Sequence, residues 1–221
     1  MRIASGVLVW IVITSFLFTL LIGLAKACTC MMQHPQEHYC SADYVALVKI
    51  KQRAKIEKYA AAYHIKIKKE FKMTEKARHA LSQGLIWTPI PDSLCGIQFK
   101  STRYLIAGRL VGEKPMINMC HLSLEWSTVT PKQKKGFRRL YQQGCHCKVK
   151  NTMYLRHISN QSTPNKFQCP WDTVSFGNLD CQRLHSFCAP SPHHKNQCIW
   201  VKSRAYRHCM KERGNQRERE P

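Results

Sequence analysis

Tyr44-Val-Ala-Leu-Val-Lys-Ile50 is rich in β-branched and apolar residues, the composition of a strand packed on a core. Downstream, in Tyr63-His-Ile-Lys-Ile-Lys68, Tyr63, Ile65 and Ile67 alternate with His64, Lys66 and Lys68, as on a half-buried strand. Arg103-Tyr-Leu-Ile-Ala-Gly-Arg109 and residues 117–126 read as further strands, and residues 96–100 as the start of another. Two helices interrupt them. Thr74 caps the first, which ends near Gly84; Thr130-Pro131 opens the second and Gly144 closes it. About five strands, with one helix between them and one after, form the element list of a mostly β, OB-fold-like barrel with flanking helices.

At the amino terminus, Arg2 precedes an apolar run from Val7 to Leu24, and Ala25-Lys26-Ala27 follows at once. That small-x-small ending is what signal peptidase cuts after, so residues 1–27 read as a signal peptide and Cys28 as the first mature residue. The run is long enough to compete as an uncleaved anchor. Thr14, Ser15, Thr19 and Gly23 dilute it, so no stable membrane anchor is expected. A bacterial lipoprotein signal would need a small or apolar residue where Lys26 stands. A secreted protein whose terminus has no role stays open.

All 12 cysteines lie beyond the leader, and an even, dense set behind a secretory signal reads as a disulfide framework. Cys28, Cys30, Cys40, Cys95, Cys120 and Cys145 are widely spaced, with regular structure in the gaps. Cys147, Cys169, Cys181, Cys188, Cys198 and Cys209 are close together in a stretch rich in Pro, His and Asn. This divides the mature chain into a domain with a true core, residues 28–145, and a small stapled module, residues 146–210. Residues 211–221 lack an apolar anchor and read as a flexible, solvated tail. The formal charge is +22, and loss of Arg2 and Lys26 with the leader takes it to +20. Such a chain is drawn to polyanions, and outside the cell sulfated glycans are the first of these.

The segment with the most chemistry is Cys28-Thr-Cys-Met-Met-Gln-His-Pro-Gln36. A terminal residue with a free amine offers its α-nitrogen and its own carbonyl oxygen to one metal, closing a five-membered chelate ring. The α-amine has an ordinary pKa of about 8 and loses its proton readily to a competing metal. A catalytic zinc keeps an open position for water, and filling it removes the attacking nucleophile. Disulfides at Cys28 and Cys30 would hold this terminus as a rigid ridge and push Thr29 outward. On composition alone, Cys28 and Cys30 read equally well as ordinary staples near a terminus.

With Cys-Thr-Cys at 28–30 stand His-Pro-Gln at 34–36, Cys40-Ser-Ala-Asp-Tyr-Val45, Asp92-Ser-Leu-Cys-Gly96, Tyr104-Leu-Ile-Ala-Gly-Arg109, Thr130-Pro-Lys-Gln-Lys-Lys135 and Tyr141-Gln-Gln-Gly-Cys-His-Cys147. In these motifs the chain resembles the tissue inhibitors of metalloproteinases over nearly all of residues 28–209. The resemblance implies a netrin-like barrel with Cys28 paired to Cys95, Cys30 to Cys120 and Cys40 to Cys145. It implies that Cys28 chelates the zinc of a target protease and that Thr29 enters the primary specificity pocket. Cys30, Met31, Met32, Ser93, Leu94 and Cys95 would complete the inhibitory ridge. The partners implied are matrix metalloproteinases and related disintegrin metalloproteinases, bound noncovalently by an extracellular monomer with no cofactor of its own. Met32 departs from the proline many members carry, and the chain between Ile50 and Tyr63 is short. The carboxy-terminal module lacks a family cysteine pair after Cys147, and Cys181 and Cys209 look like an added one. The pairing expected there is Cys147–Cys198, Cys169–Cys188 and Cys181–Cys209, one of many that six cysteines allow.

Lys49, Lys51, Arg53, Lys55, Lys66 and Lys68 crowd the first hairpin and are candidates for glycan binding, against the alternative of a solvated face. Single-stranded nucleic acid, which many OB barrels bind, is not expected outside the cell. His193-His194 beside Cys188 and Cys198 reads as a polar loop, since oxidised cysteines do not ligate zinc. No histidine spacing singles out a ribonuclease pair. Asn160-Gln-Ser162 is an N-glycosylation acceptor. The competing function is a non-inhibitory netrin-like module that binds matrix glycosaminoglycans.

Overall fold

The computed structural model describes residues 10, 13–15, 28–57, 59–90, 95–152, 166–173, 179–194 and 196–218. The elements of the first module are α1 (Pro35–Ser41), β1 (Tyr44–Ile56), β2 (Ala60–Met73), α2 (Glu75–Leu81), β3 (Leu85–Pro89), β4 (Arg103–Val111), β5 (Lys114–Met116) and β6 (Leu122–Glu125). A longer helical segment follows: α3 (Pro131–Lys135), a π-helical turn (Gly136–Leu140) and α4 (Tyr141–Gln143). The second module contains β7 (Lys148–Asn151), β8 (Gln168–Trp171), α5 (Cys181–His185), β9 (Ser186–Pro190), β10 (Cys198–Lys202) and α6 (Arg204–Arg217).

Strands β1, β2, β3, β5 and β4 pair in that order, and β4 returns to β1, so five strands close a ring. This is the OB-fold-like barrel that the strand pattern implies, with β6 added along the free edge of β4. Alternation fills its interior: Tyr44, Ala46, Val48 and Ile50 from β1 meet Tyr63, Ile65, Ile86, Tyr104 and Ile106. β1 runs past Ile50 to Ile56, where it becomes exposed and leaves the core. Thr74 accepts from Ala77 N to cap α2, and Thr130 forms a reciprocal capping box with Gln133 on α3.

Two expectations fail locally. Residues 96–100 form no strand; Ile97 N donates to Thr88 Oγ1 instead of entering a ladder. The apolar alternation there serves burial alone, with Phe99 edge-on to Tyr63 and Tyr104. The strand expected over 117–126 shrinks to β6, because Asn118 and His121 turn the chain before it. In the tail, α6 carries helix as far as Arg217, capped at its start by Ser203 and stapled through Cys209.

The second module does not stand apart from the barrel. Phe187 and Ala189 of β9 join Tyr39, Val45, Leu105, Phe137 and Tyr141 in one buried cluster. Gln36 is fully buried between the modules: its amide donates to Gly144 O at 2.9 Å and Cys188 O at 2.8 Å, and its oxygen accepts from Cys188 N at 2.8 Å. His34, also fully buried, accepts from Gln36 N and sits edge-on to Trp171 and Trp200. Its second ring nitrogen then carries the proton and donates to Gln182 O at 3.2 Å.

Burial lowers the His34 pKa from 6.5 to about 3, and the adjacent Arg183 charge acts in the same direction. Burial similarly lowers His38 to about 4. Both are neutral in the fold but gain protons in the unfolded chain below about pH 6.5. Stability is therefore expected to fall as pH drops from about 6.5 towards 4. Denaturant midpoints across this range test it. His34→Leu should reduce the slope whatever it does to stability at neutral pH, and an unchanged slope would exclude His34 as a source.

Candidate functional site

The segment 28–36 leaves the barrel as an exposed edge and re-enters it at a buried cap. At the inner end, His34 caps α1 and Pro35 and Gln36 are buried. At the outer end, Cys28 bonds Cys95 and Cys30 bonds Cys120, with Cα separations of 5.3 and 5.1 Å. Cys95 and Cys120 sulfurs lie 3.8 Å apart, so the two disulfides form one knot. All four sulfurs fall within 4.8 Å of one another, but each is already bonded and none is available as a metal ligand.

Each loop entering this knot is fixed by its own backbone. Cys95 has φ +58° and its carbonyl accepts from Met119 N at 2.8 Å. Gly96 passes so close to Pro89 that an added Cβ would overlap its carbonyl oxygen. Asn118 Oδ1 accepts from Cys120 N, and His121 Nδ1 accepts from Asn118 N. These side chain to backbone bonds turn the chain where a ladder would otherwise continue.

The knot leaves Thr29 exposed between half-buried Cys28 and Cys30. Met31 and Met32 follow, 60 % and 52 % exposed. Ser93, Leu94 and Asn160 lie outside the described residues. Met119, 59 % exposed, joins the edge from the opposite strand of the knot. Sequence reasoning missed it by reading 117–126 as one strand; its signal was its place beside Cys120, the partner implied for Cys30.

Met31, Met32 and Met119 line a shallow groove of about 250 Å³ with Leu122, Leu124 and Arg183. His38 and His121 line that groove too and, with Arg109, an adjoining hollow of about 230 Å³. Burial lowers both histidine pKa values, each helped by the other cations nearby, so both are neutral near pH 7. The exposed edge itself has no charged side chain between Cys28 and Gln33.

The remaining sulfurs pair as Cys40–Cys145, Cys147–Cys198, Cys169–Cys188 and Cys181–Cys209. The basic residues lie on the β1–β2 hairpin, away from the knot in the chain. Lys49 and Lys66 are directly opposite across the strands. Lys51, Lys66 and Lys68 are exposed, while Lys49 Nζ donates to Ser101 O. Arg53 stacks over Tyr63, and Lys55 over Trp87 beside Glu57.

A family profile described as tissue inhibitor of metalloproteinase matches residues 26–200. A protein of that name from Drosophila melanogaster is 32 % identical over 196 residues, covering 84 % of this chain and 87 % of its own length. Metalloproteinase inhibitor 3 of Scyliorhinus torazame is 31 % identical, over 82 % of this chain and 84 % of its own. Metalloproteinase inhibitor 2 of Homo sapiens is 29 % identical, over 93 % and 91 % respectively.

Gly96→Ala should cost about 1–3 kcal/mol, because backbone at Pro89 cannot move aside as a side chain would. Denaturant titration checks this; a neutral result would mean that the Cys95 loop is not seated against β3.

Proposed function

The chain belongs to the tissue inhibitor of metalloproteinase family, and from that premise we propose that it inhibits matrix metalloproteinases by presenting Cys28 to their catalytic zinc. Members of the family are metalloproteinase inhibitors, so the chain is an inhibitor and not an enzyme. The observation that supports the mechanism is the position of Thr29, exposed between two cysteines bonded to separate loops.

After cleavage at Ala27, the Cys28 amine and carbonyl oxygen would fill the open position on the protease zinc. That zinc is the partner's, and the inhibitor supplies only the two donor atoms. Thr29 would project into the primary pocket, with Met31, Met32, Ser93 and Leu94 on the flanking subsites. Because the disulfide knot orders this segment during folding, little conformational entropy remains to be lost on docking. Disintegrin metalloproteinases are a second target class on the same chemistry. The setting is extracellular, in solution or on the matrix, and the inhibitor acts as a monomer.

The hairpin supports a second activity, binding of sulfated glycosaminoglycans. Like charges directly opposite across two strands, as at Lys49 and Lys66, cost stability unless a polyanion offsets them. If glycan binding were the only activity, the protein would be a non-inhibitory netrin-like module.

Amino-terminal sequencing of the secreted protein should give Cys28 first. A variant with one extra Ala before Cys28 should lose inhibition of a matrix metalloproteinase, since the added residue covers the amine. Equal inhibition by the extended form would reduce Cys28 to a staple. On heparin resin the protein should elute well above physiological salt, and Lys51→Glu with Lys66→Glu and Lys68→Glu should elute earlier. Elution of the unaltered protein at or below physiological salt would exclude the glycan reading.

A further inference from the structure

We infer that Met31, Met32 and Met119 form an oxidation-sensitive switch, whose conversion to sulfoxides by hydrogen peroxide in the free inhibitor weakens its docking to the protease. This rests on the docking role proposed above for the ridge.

Three observations carry it. Among the described methionines these three residues are the most exposed, at 60 %, 52 % and 59 % against 39 % for Met210, while Met73 and Met116 are half-buried. All three line the same groove, brought together by the Cys30–Cys120 bond although Met119 is remote in sequence. All 12 cysteines are in disulfides, so no thiol competes for the oxidant.

The reaction balances without a metal. A sulfur lone pair attacks one peroxide oxygen, the O–O bond breaks, and the other oxygen leaves as water after proton transfer. The thioether loses two electrons and the peroxide gains them. Thioethers are soft and adapt their shape to a partner surface. The sulfoxide is polar and chiral, and docking would strip it of water without a built partner. Reduction by methionine sulfoxide reductases restores the thioether, so the change is reversible.

The test is a peroxide time course on the intact secreted protein, with sulfoxides mapped by peptide mass spectrometry and inhibition followed in parallel. Sulfoxides should appear first at Met31, Met32 and Met119, with inhibition weakened about tenfold or more and recovered after reductase treatment. A variant carrying Met31→Leu, Met32→Leu and Met119→Leu, compared with its own untreated value, should show no further loss. Earlier oxidation elsewhere would overturn the inference, as would sulfoxides at these positions with inhibition unchanged. Failure of the untreated protein to inhibit would overturn the underlying reading, and it would be seen before any oxidant is added.

Discussion

Gln36 has one carboxamide and satisfies three backbone groups with it, one at the end of the barrel domain and two on β9 of the second module. Removing such a side chain would strand buried backbone donors and acceptors at about 1–3 kcal/mol each. The residue sits only a short distance after the disulfide knot, separated from it by the exposed methionines and the His34 cap. The seating of the ridge is therefore set by the packing of both modules, and β9 contributes as directly as the barrel. Thr130 repeats the arrangement: its hydroxyl caps α3 and donates to Leu184 O, tying the helix to the same module.

The disulfides act on a different quantity. Cys28–Cys95, Cys30–Cys120 and Cys40–Cys145 close loops spanning 67, 90 and 105 residues. In the chain-entropy account, bonds over such lengths stabilise by about 4–5 kcal/mol each through the unfolded state. The first two also immobilise a segment that has almost no core contacts of its own. A linear peptide of sequence Cys-Thr-Cys-Met-Met would have to lose its freedom on meeting a partner; here that loss is incurred in folding.

The barrel was legible because its long strands have a clear apolar pattern. Residues 63–68 of β2 alternate because one face of that strand is inward, while β1 and β4 show as apolar runs because both their faces are buried, one in the barrel and one under the helices and β9. The sequence misled where side chains bond the backbone. Asn118 and His121 turn the chain that apolar content alone reads as strand, and Thr88 takes the amide of Ile97. Short strands such as β5, β7 and β8 have too few residues to show a period at all. Met119 was hidden for the same reason, since its role depends on a turn and a cross-link and not on its neighbours in sequence. The extension of α6 past Arg213 has a cap and a staple but little apolar burial, so composition could not announce it.

Charge is distributed so that the ridge and the hairpin work by different physics. Several cations of the first module rest on aromatic rings, with Lys55 and Lys114 over Trp87, where they share Glu57, and Lys134 over Trp126. With only 13 acidic residues in the chain, most of the positive charge stays uncompensated and acts over the range of a Debye length. No side chain of residues 28–33 is charged, so after cleavage the Cys28 amine would be the only cation of that segment, and the histidines lining its groove are held neutral by burial. A charged ridge would have to be desolvated on contact, offsetting much of what it gained. Neutral side chains, those of Thr29 and the thioethers, leave close contact to shape and leave long-range attraction to the hairpin.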